Sequence, residues 1–168
     1  SDNSVNMIQD NADSGKPFFL HVAYTAPHWP LHALEEDIAR YEGKYRGGWD
    51  VLRTSRHEEL KGLGILDSKW PISPRDKDSP PWGDITAPEW QAIRMAVYAA
   101  QIDRLDQGIG RILNKLRELG IEENTLVMFL SDNGGSAEFL TEDTNRPALP
   151  DGKPVRAGNI PGLRPGQA

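Results

Sequence analysis

One unbroken helical pattern, Thr86 to Gly120, constrains this chain more than any other stretch. Thr86-Ala87-Pro88-Glu89 reads as a helix start. Thr86 suits the N-cap, Pro88 suits the first turn, and Glu89 stands three residues after Thr86, which makes a capping box. Trp90, Ile93, Val97, Ile102, Leu105, Ile109, Ile112, Leu116 and Leu119 then recur at spacings of three to five residues. That periodicity lays one apolar face along about nine turns. Gly120 is the expected stop, and Gly108 and Gly110 allow a bend or close packing. Such a helix has to lie across other apolar elements, and the sequence offers one on each side.

Upstream, Phe18-Phe19-Leu20-His21-Val22-Ala23-Tyr24 is an almost continuous apolar run between Pro17 and Pro27. It is short, aromatic and β-branched, which predicts a buried parallel strand. Downstream, Thr125-Leu126-Val127-Met128-Phe129-Leu130 predicts a second. Strand, helical crossover, strand implies a parallel pair with a right-handed connection, so the expected fold class is α/β. Thr25-Ala26-Pro27-His28-Trp29-Pro30 can neither extend the first strand nor open a helix. Ser131-Asp132-Asn133-Gly134-Gly135 ends the second sharply. Ligands of open parallel sheets bind beyond the carboxyl ends of the strands. His28 and the Asp132-Asn133 pair are therefore expected along one edge.

The remaining segments are less patterned. Residues 1–16 read as the tail of an element running into a turn. Residues 33–85 read as a helical and loop insertion. It holds a short helix over Leu34–Tyr41 and a second over Trp49–Leu63, with Val51, Leu52, Leu60 and Leu63 as core candidates. Pro71, Pro74, Pro80 and Pro81 make 67–85 mostly loop. Residues 139–168 form a Gly- and Pro-rich tail. At 168 residues, the chain suffices for a single domain with a core. A net charge of −6 with no basic stripe argues against a nucleic-acid partner. No apolar run reaches the roughly 20 residues of a membrane span, and the first residues carry no leader-like apolar segment. The compartment stays open between periplasmic or extracellular and cytoplasmic, and no oligomeric state follows. With no cysteine, there is neither a disulfide framework nor a thiolate metal site.

Two positions carry chemistry, each with a plainer alternative. Asp132 and Asn133 offer adjacent side-chain oxygens of the kind that hard cations such as Ca²⁺ or Mg²⁺ take. The same residues make an ordinary Asx turn. His28, between Pro27 and Trp29, suits binding of an oxyanion or transfer of a proton near neutral pH, or simple packing in a Pro-rich turn. His21 reads as a core histidine, and His32 and His57 as surface or loop residues. Arg53, Arg56 and Lys61 with Glu58 and Glu59 read as a solvated helix face. The tryptophans 29, 49, 70, 82 and 90 read as buried under the insertion rather than as a cleft lining.

Four segments, in order, resemble one known family. Phe18-Phe19-Leu20 through Ala26-Pro27-His28-Trp29-Pro30-Leu31 resembles the "PFF…APH.P" segment of type I, formylglycine-dependent sulfatases. YRGGWDVLRTSRHEELKGL over 45–63, VYAAQIDRLDQGIGRILNKLREL over 97–119 and NTLVMFLSDNG over 124–134 resemble its later segments. The likeness spans about residues 16–138 and is to bacterial arylsulfatases in particular. It implies part of an alkaline-phosphatase-like α/β fold, with residues 1–168 an internal part of a single catalytic domain. It implies hydrolysis of a small-molecule or glycan sulfate ester, with Ca²⁺, or Mg²⁺ in its place. Carried over residue by residue, Asp132 and Asn133 match metal ligands, and His28 matches a histidine that contacts the sulfate and protonates the leaving oxygen. The family's formylglycine is made within a Cys/Ser-x-Pro-x-Arg motif. That motif does not occur here, since Ser73-Pro74-Arg75 lacks the spacing. Nor do the family's paired aspartates occur, for Asp103 and Asp106 sit on the helix. The nucleophile is therefore expected outside these residues, and the chain by itself inactive. Phosphonate or phosphodiester hydrolases of the same superfamily tend to carry His where Asn133 stands. A scaffold that keeps the fold and binds without catalysis is the remaining alternative.

Overall fold

The computed structural model describes residues 1–28 and 31–135. Four α-helices lie among them: α1 (Asp2–Ser14), α2 (Glu35–Ala39), α3 (Gly48–Gly62) and α4 (Pro88–Glu118). Short 3-10 turns cover Trp82–Asp84 and Glu122–Asn124. Helix α4, 31 residues long, is the spine, and α1 and α2 both pack on it. Residues 1–16 are thus a helix that runs into a turn at Gly15, in line with an element ending there.

Helix α4 starts one residue later than the capping box requires. Its N-cap is Ala87, at φ 55° and ψ 56°, with no side-chain cap from Thr86. Pro88 takes the first helical position, and Ala87, which the proline after it keeps out of the right-handed helical region, is left-handed. Glu89 instead pairs with Arg46 at 3.1 Å. The far end closes as the sequence predicts, with Gly120 at φ 66° after the C-cap Leu119.

The buried stripe of α4 is Ala92, Ala96, Val97, Ala100, Gln101, Gly108 and Leu116. Of the nine apolar positions read from the periodicity, Val97 and Leu116 are buried. Ile102 is exposed, and the others are half-buried. Small residues at steps of three and four let neighbouring backbones come close. Leu31 and Ile38 sit there against Val97 and Ala100, with Ala33, Tyr41 and Ile93 around them. Burying a side chain such as Ile38 fully is worth about 1.5–3 kcal/mol. Farther along, Gly108 admits Ser1 and the Tyr24 hydroxyl, which bond each other at 2.9 Å, and Arg111 holds Asp2 at 2.5 Å.

Neither expected strand forms a ladder. Among the described residues no segment is a β-strand, so the parallel pair is corrected to two extended segments flanking α4. The physical reason is pairing. A strand needs a neighbour about 4.8 Å away to take its N–H and C=O groups, and neither segment lies beside another here. The first keeps the alternation of a pleated strand. Phe18, Leu20, Val22 and Tyr24 are half-buried, while Phe19, His21 and Ala23 are exposed. His21 is therefore not a core histidine. The second is open along its length, from Leu126, 83% exposed, to Leu130, 73% exposed.

Helix α3 falls within one residue of its expected bounds, but Val51, Leu52 and Leu63 are exposed and Leu60 is only half-buried. What packs there instead is the 70–84 loop. Arg53 donates to the Ser73 hydroxyl at 2.9 Å and the Pro74 carbonyl at 3.2 Å. Trp49 donates to the Pro80 carbonyl at 3.0 Å and meets Trp82 edge-on at 4.8 Å. Asp50 accepts from the Trp82 N–H at 2.8 Å and pairs with Arg75. So Arg53 does not lie on a freely solvated face, and Trp49 and Trp82 cover each other while Trp70 stays exposed. His57, read as a surface residue, is half-buried and reaches the Trp70 carbonyl at 3.2 Å. No helix among the described residues is long and apolar enough to cross a membrane. The loop-rich tail predicted for 139–168 and the Trp29 ring lie outside the described residues.

Candidate active site

The two extended segments end in the loops that the sequence singles out. Residues 25–28 turn back on themselves, with the His28 N–H donating to the Thr25 carbonyl at 2.9 Å and a cis Ala26–Pro27 peptide. Three residues on, buried Leu31 anchors the chain in the α2–α4 core. At the other segment's end, the Ser131 hydroxyl donates to the Asn133 carbonyl, and the Asn133 amide donates to the Gly134 carbonyl at 2.6 Å.

Both loops line one cavity of about 1910 Å³, bounded by Tyr24–His28, Ser131–Gly135 and one side of α4. His28, Asp132 and Asn133 are all on its lining, and so is His32. His21 and His57 are not among its lining residues. The wall from α4 is mixed, with Arg94, Gln101, Asp103, Arg104, Gln107 and Arg111 set among Met95, Tyr98, Ile102 and Leu105. Arg94 lies over the Trp90 ring at 4.8 Å and donates to Gln91 at 2.9 Å. Burial pushes its guanidinium pKa down, though arginine stays charged in proteins.

One group behind this wall, off the cavity lining, escapes sequence reasoning. Asp37, on α2, is completely buried. Arg104 meets its carboxylate through Nε at 2.7 Å and Nη2 at 2.6 Å, and Gln107 and Arg40 approach at 3.5 Å. Gln107 also donates to Asp103 at 2.8 Å, which accepts from the Tyr41 hydroxyl at 3.0 Å and from Arg40 at 3.3 Å. The bond from Gln107, then that from Tyr41, holds the Asp103 carboxyl below the usual carboxylate range, and donating to Asp103 raises the Tyr41 pKa. An acidic residue beside Ile38 on a helix of only five residues reads as solvated. The available signal is that Asp37 and Ile38 both fall between the apolar Leu34 and Tyr41.

The donor types at Asp132 and Asn133 suit a hard cation. With its amide nitrogen turned to Gly134, Asn133 has its Oδ1 as the oxygen to offer. The number of donors does not complete a shell, since Ca²⁺ takes six to eight oxygens. Among the described residues there is no cluster of three or more His, Cys, Asp or Glu that could hold a metal ion.

The family model for Sulfatase matches residues 1–159. The chain belongs to the sulfatase family. An arylsulfatase of Klebsiella aerogenes is 40% identical over 124 residues, covering 72% of this chain and 26% of that protein. An uncharacterized sulfatase of Schizosaccharomyces pombe is 38% identical over 133 residues, covering 77% of this chain and 24% of that protein. Human N-sulphoglucosamine sulphohydrolase is 31% identical over 123 residues, covering 71% and 21%. The chain thus spans about a quarter of the length of the curated sulfatases it matches.

Proposed function

We propose that residues 1–168 are an internal part of the catalytic domain of a sulfate-ester hydrolase of arylsulfatase type, with an alkaline-phosphatase-like α/β sheet completed by other residues. On this reading the 17–24 and 125–130 segments are central strands of that sheet, and 33–85 is an insertion beside the site. The supporting observation is the shared cavity. In a chain of the sulfatase family, an imidazole and an Asp-Asn oxygen pair line one space from the ends of two extended segments.

Each residue then has a role. His28, as imidazolium, contacts the sulfate and gives its proton to the bridging oxygen, so that the alcohol leaves neutral. Asp132 and Asn133 supply two of the oxygens for a divalent cation, Ca²⁺ or Mg²⁺. When bound, the cation and a formylglycine from outside these residues supply charge stabilisation and the nucleophile.

The test is hydrolysis of an aryl sulfate by the full-length protein with Ca²⁺. Turnover is expected, lost on chelation and lowered about 10²–10⁴-fold by His28→Ala, as for removal of a general acid. Residues 1–168 alone should show none. Wild-type turnover in His28→Ala, or cleavage confined to phosphodiesters, would overturn the reading.

A further inference from the structure

We infer that the buried Asp37–Arg104 pair positions the His28 loop, by locking helix α2 in register on α4. This rests on the role proposed for His28. A fully buried carboxylate is costly to desolvate, and well-packed apolar residues often replace a buried ion pair without loss of stability. Cohesion of α2 and α4 therefore does not require it, because Leu31, Ile38, Val97 and Ala100 already supply an apolar contact. An apolar contact is non-directional, and small residues on α4 leave α2 free to slide or roll. Arg104 removes that freedom. Its Nε donates to Asp37 Oδ2 at 2.7 Å, and its Nη2, 2.6 Å from that same oxygen, donates to Glu36 at 3.3 Å, so one planar guanidinium grips two successive carboxylates of α2 and fixes direction as well as distance. The chain from His28 runs to buried Leu31 and then directly into α2, so a shift of α2 moves the end of the loop that carries the imidazole. Arg104 and Gln107 line the same cavity as His28, so the lock is built into the wall of the site.

Asp37 and Arg104 are positioning residues, and their test needs a readout that lost stability alone would not move. The full-length protein is assayed with aryl sulfates of graded leaving-group pKa. His28→Ala should lower kcat most for the poorest leaving groups, since these need the proton most. Asp37→Asn should show the same pattern, with kcat down roughly 10–100-fold on poor leaving groups, as expected of a small misplacement, and KM little changed. Arg104→Lys keeps the charge, loses the planar guanidinium that reaches Asp37 and Glu36 together, and should not rescue. His28→Ala with Asp37→Asn should be no slower than His28→Ala alone, because the two act through one proton transfer. Should Asp37→Asn fail to fold, Asp37→Leu with Arg104→Met replaces the pair by apolar packing, and the same leaving-group pattern is expected of it. Unchanged leaving-group dependence in these variants, while His28→Ala steepens it, overturns the positioning role and leaves the site intact. Unchanged dependence in His28→Ala itself overturns the site reading, and this inference with it.

Discussion

Two glycines on α4 separate steric contact from helix propensity. Replacing glycine by alanine inside a helix gains about 1 kcal/mol. A methyl group at Gly110 meets nothing within 4 Å, so Gly110→Ala should keep that gain. A methyl at Gly108 collides with the Ser1 hydroxyl and comes within 3.0 Å of the Tyr24 hydroxyl. Ser1 can rotate away, but this breaks its 2.9 Å bond to Tyr24, a loss of about 1 kcal/mol. Crowding against the rigid Tyr24 ring costs a further 1–3 kcal/mol or so. Gly108→Ala should therefore be destabilised by roughly 1–3 kcal/mol. The two variants then differ by about 2–4 kcal/mol, which places their melting temperatures roughly 4–16 °C apart in a domain of this size. Thermal melts followed by far-UV circular dichroism measure the difference. Tyr24→Phe removes the crowded hydroxyl and should restore part of the Gly108→Ala loss. Equal melting of the two variants above wild type would refute the close approach of Ser1 and Tyr24 to α4.

Three more outcomes follow from packing and charge. Ile38→Ala should cost about 2–5 kcal/mol, read from the denaturant midpoint, and far more than Val51→Ala on the open face of α3. The Asp50 carboxyl is held below the usual range by the Trp82 N–H and then by Arg75. A depressed folded pKa stabilises above the unfolded value, near 4, and the effect is lost as pH falls through the lower folded value. Acidification below about pH 4 should therefore release the 70–84 loop, seen as a change in fluorescence of the Trp49–Trp82 pair, and Asp50→Asn should remove that step. The exposed run Leu126–Leu130 should make the 168-residue chain associate on its own, as unpaired apolar edges do. Val127→Lys with Phe129→Lys should shift sedimentation toward monomer.

Helices were more legible in the sequence than strands because a helix satisfies its own backbone. The stripe of α4 and its stop at Gly120 follow from local spacing, and its start is off by one residue because Pro88 takes the first helical position in place of a cap at Thr86. Residues 18–24 show the limit of local reading. Their alternation is present in the exposure pattern, yet the ladder depends on neighbours that local pattern cannot supply. Val51, Leu52 and Leu63 fail as core positions for a related reason. Periodicity marks the face that wants cover, not the element that covers it. That His28 and the Asp132-Asn133 pair share one cavity was legible from their place after apolar runs. The burial of Asp37 was not, since its place between Leu34 and Tyr41 is too weak a signal to tell a buried carboxylate on a five-residue helix from a solvated one.

The unpaired segments and the incomplete cation shell have one physical origin. Residues 125–130 expose apolar side chains and form no ladder among the described residues, and on the proposed reading the turn directly after them offers two of the six to eight oxygens that Ca²⁺ needs. A strand without neighbours and a ligand pair without partners ask for the same thing, further chain laid along this edge. Adding that chain improves both together, because each strand brought alongside ends near the turn and can deliver an oxygen there. Cation binding at Asp132 and Asn133 should therefore depend on completing the sheet. Calorimetry with Ca²⁺ ought to detect binding in the full-length protein, weakened by Asp132→Ala, and none in residues 1–168. Tight Ca²⁺ binding by the 168-residue chain would break this link and place the remaining ligands within it.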